Sequence, residues 1–286
     1  MQDHAQTANY ELSAQQFAHF RQLVREHSGI ALRPEKHQLV CSRVARRLRA
    51  LSLSSFDEYL ALLARQGPHG EELEQLLNAI TTNKTSFFRE AHHFEELQKH
   101  VVQPKLRETD APRLRVWSAG CSTGEEPYSI VATLLAATPR WEHADIAVLA
   151  SDLDTNVLAV GERGVYSLEK LEELPAAIAE RWFIRGTGDK AGLIRARREL
   201  RQRIAFRRIN FIEPDWPVRT RFDAIFCRNA LIYFDPPVQR EIVSRLLAYL
   251  APGGMLFLGH SESMAGVRPD LRSLGRTSYL YLGGAE

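Results

Sequence analysis

Leu114-Arg115-Val116-Trp117-Ser118-Ala119-Gly120-Cys121-Ser122-Thr123-Gly124-Glu125-Glu126 begins as a buried strand and ends as the first turn of a helix. Residues 114–118 are short and mostly apolar, Gly120 and Gly124 interrupt them, and a helical stretch follows over 126–137. A strand that passes through a glycine-rich turn into a helix is the opening unit of a parallel α/β sheet. Working outward, residues 146–150, 204–211, 222–227 and 255–258 are further strand patterns, with an aromatic one at 278–282. Residues 157–163 and 238–250 read as helices between them. The alternation predicts a Rossmann-like, doubly wound α/β domain with a mostly parallel sheet covered on both faces. Gly186, Gly188 and Gly192, followed by the alternation over 193–197, predict a small antiparallel β-insertion at about 183–204.

In an open parallel sheet the ligand lies beyond the carboxyl ends of the strands. The turn after the first strand has no lysine for a phosphate loop, and its glycines lack the dinucleotide spacing. Glu125 and Glu126 would also repel phosphate. A ligand carrying hydroxyls or a positive charge, such as S-adenosylmethionine, suits the turn better. Asp152, at the end of the second strand, has two readings: a carboxylate for ribose hydroxyls, or the N-cap of the next helix. The fourth strand ends in Phe226-Cys227-Arg228-Asn229-Ala230-Leu231-Ile232-Tyr233-Phe234-Asp235. Arg228, Asn229 and Tyr233 either close the same crevice or, for the tyrosine, pack as core. No nucleophile elbow, zinc helix or C-x-x-C occurs, and no metal is expected. The pair His92-His93 reads as surface.

Residues 1–80 read as a helical domain, 81–112 as a linker contributing to the cofactor site, and 113–286 as the α/β domain. Phe17, Phe20, Leu23 and Val24 recur at helical spacing between a plausible cap, Ser13, and a plausible stop, Gly29. Val40, Val44, Leu48 and Leu51 form one stripe, which turns Arg43, Arg46 and Arg49 toward water or a partner. Residues 56–63 and 73–80 predict two more helices, parted by Gly67-Pro68-His69-Gly70. The net charge of the 286-residue chain is only +2, but basic residues cluster over 33–49 and 185–208. Each cluster is either a solvated face or a surface for an acidic macromolecule. With 44% hydrophobic and 25% charged residues, disorder and collagen-like repetition are excluded. The longest nearly apolar run, 130–137, is far below the ~18 residues of a membrane span. The amino-terminal stretch lacks a signal-peptide core, and Cys41, Cys121 and Cys227 are unpaired by pattern, so the expectation is a cytoplasmic protein.

Four stretches together resemble the chemotaxis receptor glutamate methyltransferases, the CheR family: Thr81-Thr82-Asn83-Lys84-Thr85-Ser86-Phe87-Phe88-Arg89-Glu90, the run SAGCSTGEEPYS from Ser118, Ala150-Ser151-Asp152-Leu153-Asp154, and CRNALIYFD from Cys227. The resemblance runs from about residue 13 to the end. It implies transfer of methyl from S-adenosylmethionine to receptor glutamates, with S-adenosylhomocysteine as product. By that resemblance Asn83, Thr85 and Arg89 contact the cofactor, Gly120 and Glu125 line it, and Asp152 binds its ribose. Asn210 and Phe211 flank the adenine, Arg228 and Asn229 complete the pocket, and Tyr233 lies beside the methyl group. Tyr233 and Arg89 are expected to orient groups in the reaction. Whether Glu125 or Glu126 touches the cofactor stays open. The insertion resembles the family's peptide-binding version, with Arg185, Gly186, Gly188, Gly192 and Arg195 taking a receptor C-terminal peptide by strand addition. Arg43 and Arg46 would face the acidic receptor helices. A monomer without membrane insertion or nucleic-acid partner is expected. The alternatives are a methyltransferase for a small molecule or nucleic acid, and a non-catalytic cofactor-sensing signalling protein.

Overall fold

A computed structural model describes residues 10–264, 266 and 268–283. Two compact units divide the chain: one runs to Thr82 and takes in Tyr233–Asp235, the other holds Asn83–Ile232 and the chain from Pro236.

The first unit is helical: α1 (Ala14–Ser28), α2 (His37–Ala50), α3 (Phe56–Gln66) and α4 (Glu71–Ile80). Ser13 opens α1 with a capping box shared with Gln16, and Gly29 ends it at φ +74°. Phe20, Val24, Val40, Val44, Leu48, Tyr59 and Leu76 are fully buried between the helices. One carboxylate sits in this core. Glu72 accepts two hydrogen bonds from Arg47 (2.9 and 2.7 Å) and one from the Tyr59 hydroxyl at 2.6 Å. Charge-assisted bonds of this kind offset its desolvation. Glu72→Ala would orphan Arg47, whose side chain is 24% exposed. Water can therefore relieve part of the usual penalty, and a loss of about 2 kcal/mol in urea unfolding is expected.

The expectation that Arg43 faces water is corrected. Its Nη1 donates to the carbonyls of Ala79 (3.2 Å), Ile80 (2.6 Å) and Thr81 (2.6 Å). These acceptors lie at the end of α4, so Arg43 serves as a C-terminal cap. Arg46 and Arg49 do stay exposed. The Tyr233–Asp235 segment joins this unit through the Tyr233 carbonyl, which accepts the Ala31 N–H at 2.8 Å. The Tyr233 hydroxyl lies 3.5 Å from the Thr82 carbonyl, and Asp235 pairs with Arg25 at 2.8 Å.

Among the described residues the larger unit carries ten strands: β1 (Arg113–Ala119), β2 (Asp145–Asp152), β3 (Val165–Ser167), β4 (Phe183–Arg185), β5 (Leu193–Ala196), β6 (Ile204–Arg208), β7 (Phe222–Cys227), β8 (Leu250–Leu258), β9 (Leu271–Gly275) and β10 (Ser278–Tyr281). Seven form one sheet in the order β6-β2-β1-β7-β8-β10-β9. The first five are parallel, and β10 runs antiparallel to both β8 and β9. Trp117, Phe226 and Phe257 are fully buried in adjacent strands, as expected of a sheet covered on both faces. β2 and β7 flank β1 on opposite sides, so the chain reverses its direction of growth there. That reversal creates a crevice at the carboxyl ends of β1, β2 and β7.

The antiparallel insertion is present as the sheet β3-β5-β4. Its first strand, Val165–Ser167, precedes the expected start near residue 183. β9 carries no sequence signal of its own, and β6 stops at Arg208, which leaves Asn210 and Phe211 in the loop beyond it.

Candidate active site

The glycine turn after β1 is fixed by backbone bonds before any ligand is considered. Gly120 and Cys121 both donate their N–H groups to the Ser151 carbonyl at 2.8 Å, tying the turn to the end of β2. Gly120 lies at φ +88°, and a Cβ added there would meet only the Ala230 Cβ, at 3.0 Å. The turn thus packs closely against the loop after β7. Gly124, at φ +96°, leads into the helix Glu125–Ala137, and a Cβ on it would lie 2.9 Å from the Tyr166 hydroxyl. A side chain fits at neither glycine without strain.

Asp152 is not the N-cap of the helix Thr155–Arg163. Asp154 takes that role, accepting the N–H groups of Asn156 and Val157. The Asp152 carboxylate instead accepts the Ser122 N–H at 2.8 Å and the Asp154 N–H at 3.0 Å, one on each oxygen. A carboxylate has about four acceptor sites, so capacity for ligand hydroxyls remains. Burial pushes its pKa up, and the two N–H bonds pull it back. Ile209 donates its N–H to the Asp152 carbonyl at 3.0 Å, which sets Asn210 and Phe211 directly after this strand end. Asn210 is buried, and its side-chain oxygen accepts the Ile212 N–H at 3.3 Å. Phe211 is half-buried against Trp216.

The segment after Thr82 is threaded onto the same turn. Asn83 donates its side-chain amide to Asp154 at 2.7 Å, and its carbonyl accepts the Ser122 hydroxyl at 2.9 Å. Phe88 and Glu90 both adopt positive φ, +50° and +55°, unusual strain for such residues and of a kind that clusters at functional sites. Lys170, just beyond β3, contacts the Thr85 carbonyl (3.3 Å), Glu173 (2.9 Å) and Glu125 (3.4 Å). Glu173 in turn accepts the Phe87 N–H at 2.8 Å. The turn that follows β3 therefore clamps both Glu125 and the segment that carries Thr85. Tyr166 on β3 adds a hydrogen bond to the Thr123 carbonyl at 2.8 Å.

Arg228 is 5% exposed and turned inward. Its Nη2 donates to the Arg89 carbonyl, and its Nε lies 3.4 Å from Glu126 and 3.8 Å from Glu90. Glu126 also accepts the Ser118 hydroxyl at 2.7 Å. Arg89 is half-buried and donates to the Lys84 carbonyl. Behind this cluster His93 is fully buried, which corrects its reading as surface. Burial, with help from Arg228, pushes its pKa down to about 3 and keeps it neutral.

Gly120, Asp152, Asn83, Thr85, Glu125, Arg89, Arg228, Asn229, Asn210 and Phe211 thus all lie on segments bonded to the ends of β1, β2, β6 and β7. Tyr233, Arg43 and Arg46 belong to the helical unit, and Arg185, Gly186, Gly188, Gly192 and Arg195 to the small sheet or the loop joining its strands. The residues fit an adenosyl sulfonium. The turn is acidic, and Asp152 retains acceptor capacity. Nε and Nη1 of Arg228 are buried without a hydrogen bond, although Nε is ion-paired with Glu126 and Glu90.

Residues 83–280 match the family described as "CheR methyltransferase, SAM binding domain", and residues 15–81 match "CheR methyltransferase, all-alpha domain". The chain belongs to the CheR methyltransferase family. Chemotaxis protein methyltransferase 2 of Pseudomonas aeruginosa is 45% identical over 270 residues, covering 94% of each chain. The chemotaxis protein methyltransferases of Salmonella typhimurium and Escherichia coli are 44% and 43% identical over 269 residues, covering 92% of this chain and 89% and 90% of theirs. The cofactor is S-adenosylmethionine. Among the described residues no helix is long and apolar enough to cross a membrane.

Sequence reading missed several members of this CheR site. Asp154 carried a usable signal, an acidic residue just ahead of a helix. Lys170, Glu173 and Glu90 carried none, because only tertiary packing brings them to the turn.

Proposed function

We propose that this chain methylates glutamate side chains of chemoreceptors, forming glutamate methyl esters. The observation that carries the reading is Asp152, held by two backbone N–H groups beside an acidic, lysine-free glycine turn in a CheR-family sheet. When bound, S-adenosylmethionine supplies a methyl group on a positively charged sulfur. A glutamate with an ordinary pKa near 4.3 is already ionised at neutral pH, so the chain has no proton to remove. Its residues act by holding the partners in line, which is worth roughly 7–11 kcal/mol in favourable cases. Asp152 accepts ribose hydroxyls, Asn210 and Phe211 flank the adenine, and Arg89 with Arg228 balances the amino-acid carboxylate. Thr85, Asn83, Glu125 and Asn229 shape the surrounding wall. Tyr233 orients the incoming carboxylate. Tyr233→Phe should therefore slow transfer at least tenfold while calorimetry shows cofactor affinity unchanged.

The receptor is met through two surfaces. Exposed Arg46 and Arg49 on α2 favour an acidic helix. On the small sheet β4 is an edge strand, with Ile184 and Leu193 exposed beside Arg195. A Cβ on Gly188 or Gly192 would meet nothing within 4 Å. These features support strand addition of a receptor peptide near Arg185 and Gly186. The working site is the cytoplasmic face of the receptor, with the enzyme as a monomer. Incubation with methyl-labelled cofactor and receptor-containing membranes tests the reading. Label on receptor bands released by mild base supports a carboxylate ester, whereas base-stable label overturns it.

A further inference from the structure

Glu262 stands outside every motif that marks the cofactor site. Its side chain is 6% exposed, beyond the end of β8. Its carboxylate accepts three backbone N–H groups: Asn229 at 2.8 Å, Ile232 at 3.1 Å and Gly259 at 2.7 Å. Its own N–H donates to the Gly259 carbonyl at 2.8 Å and closes the turn that presents it. One side chain thus binds the loop after β7 to the loop after β8.

The two loops meet so closely that no side chain fits between them. A Cβ on Gly259 would lie 2.6 Å from the Asn229 side-chain amide, 2.7 Å from the Asn229 backbone nitrogen and 2.6 Å from Glu262 itself. Asn229 lies at φ +58°, a left-handed conformation that asparagine adopts more readily than most residues. The next residue is Ala230, the one neighbour that a Cβ on Gly120 would meet. The loop fixed by Glu262 is therefore the wall facing the glycine turn. Burial raises the pKa of Glu262 while the N–H bonds oppose the rise, as expected of a carboxylate kept for its acceptor oxygens.

We propose that Glu262 is a positioning residue of the cofactor site, holding the Asn229–Ala230 wall packed against the Gly120 turn in the arrangement that S-adenosylmethionine requires. This rests on the reading that the crevice over Gly120 and Asp152 takes the cofactor. Glutamine at 262 would keep the size but offer one acceptor oxygen and set an NH₂ group against N–H donors. Alanine at 259 would press on the wall and on the Glu262 carboxylate together, breaking the junction of the two loops without removing either acceptor oxygen.

The test is calorimetric titration of the full chain with S-adenosylhomocysteine, with thermal unfolding recorded for each variant. Glu262→Gln and Gly259→Ala should each raise Kd at least tenfold with unchanged stoichiometry. A merely structural role would lower the unfolding temperature and the binding-competent fraction but leave Kd as in the wild type, and that result overturns the proposal. Should Glu262→Gln fail to fold, Gly259→Ala decides alone. An unmodified chain that binds no S-adenosylhomocysteine refutes the cofactor reading itself, in a separate arm of the same experiment.

Discussion

Asp152→Ala is expected to weaken S-adenosylhomocysteine binding by about a hundredfold or more while the protein stays folded. The estimate follows from the bonds at stake: hydrogen bonds to a charged group are worth about 1.5–3 kcal/mol each, and a ribose offers two hydroxyls. Removing the carboxylate also frees the N–H groups of Ser122 and Asp154, so the turn loses two of its fixings. Ser122 and Asp154 are both buried, so water replaces the lost acceptor only by entering the space the side chain vacates. Asp154→Ala makes the informative contrast. It removes a helix cap and a partner of Asn83, so it should lower the unfolding temperature more than it lowers affinity. Calorimetry and thermal unfolding on the two variants check the separation. Equal loss of affinity in both would mean that Asp152 acts only through the local fold.

What the sequence disclosed and what it hid divide along physical lines. The glycine turn, the parallel strands around it and the helical first unit are legible because each is a local pattern: apolar alternation, a break, a cap. Ser13 and Gly29 mark α1 in the chain exactly where its backbone bonds require a side-chain acceptor and a left-handed residue. Asp152 and Asp154 could not be told apart by composition, since either suits a cap, and only the hydrogen bonds assign them. Arg43 shows the limit of the helical wheel. The wheel gives the direction of a side chain but not what waits there, and here the backbone carbonyls at the end of α4 wait. β3 and β9 are too short or too exposed to carry a pattern, and each exists because a neighbouring strand supplies its ladder. Lys170 and Glu262 belong to the same class, polar residues whose meaning comes from distant segments.

Arg228→Met is expected to destabilise the larger unit by about 3–5 kcal/mol at neutral pH, the usual cost of leaving a buried ion without its partner. The guanidinium is only 2% exposed, and Glu126 and Glu90 face it at 3.4 and 3.8 Å. Methionine can fill the space beside Phe94 and Phe226, over which the guanidinium now lies, so lost packing is a minor part of the effect. The pH dependence identifies the cause. Burial already raises the pKa of Glu126, and Arg228 is the strongest influence pulling it down. Without the arginine the folded-state pKa rises further above the unfolded value. A carboxyl with a raised folded pKa imposes no penalty below its unfolded pKa, near 4.3, an increasing one from there up to the folded value, and a constant one above it. The deficit of Arg228→Met relative to wild type should therefore shrink between pH 7.5 and pH 5 in urea unfolding. A second variant, Arg228→Met with Glu126→Gln, removes the ion that was left unpaired and should recover much of the loss at neutral pH. A deficit that stays constant across this range would place the role of Arg228 in packing and in its bond to the Arg89 carbonyl.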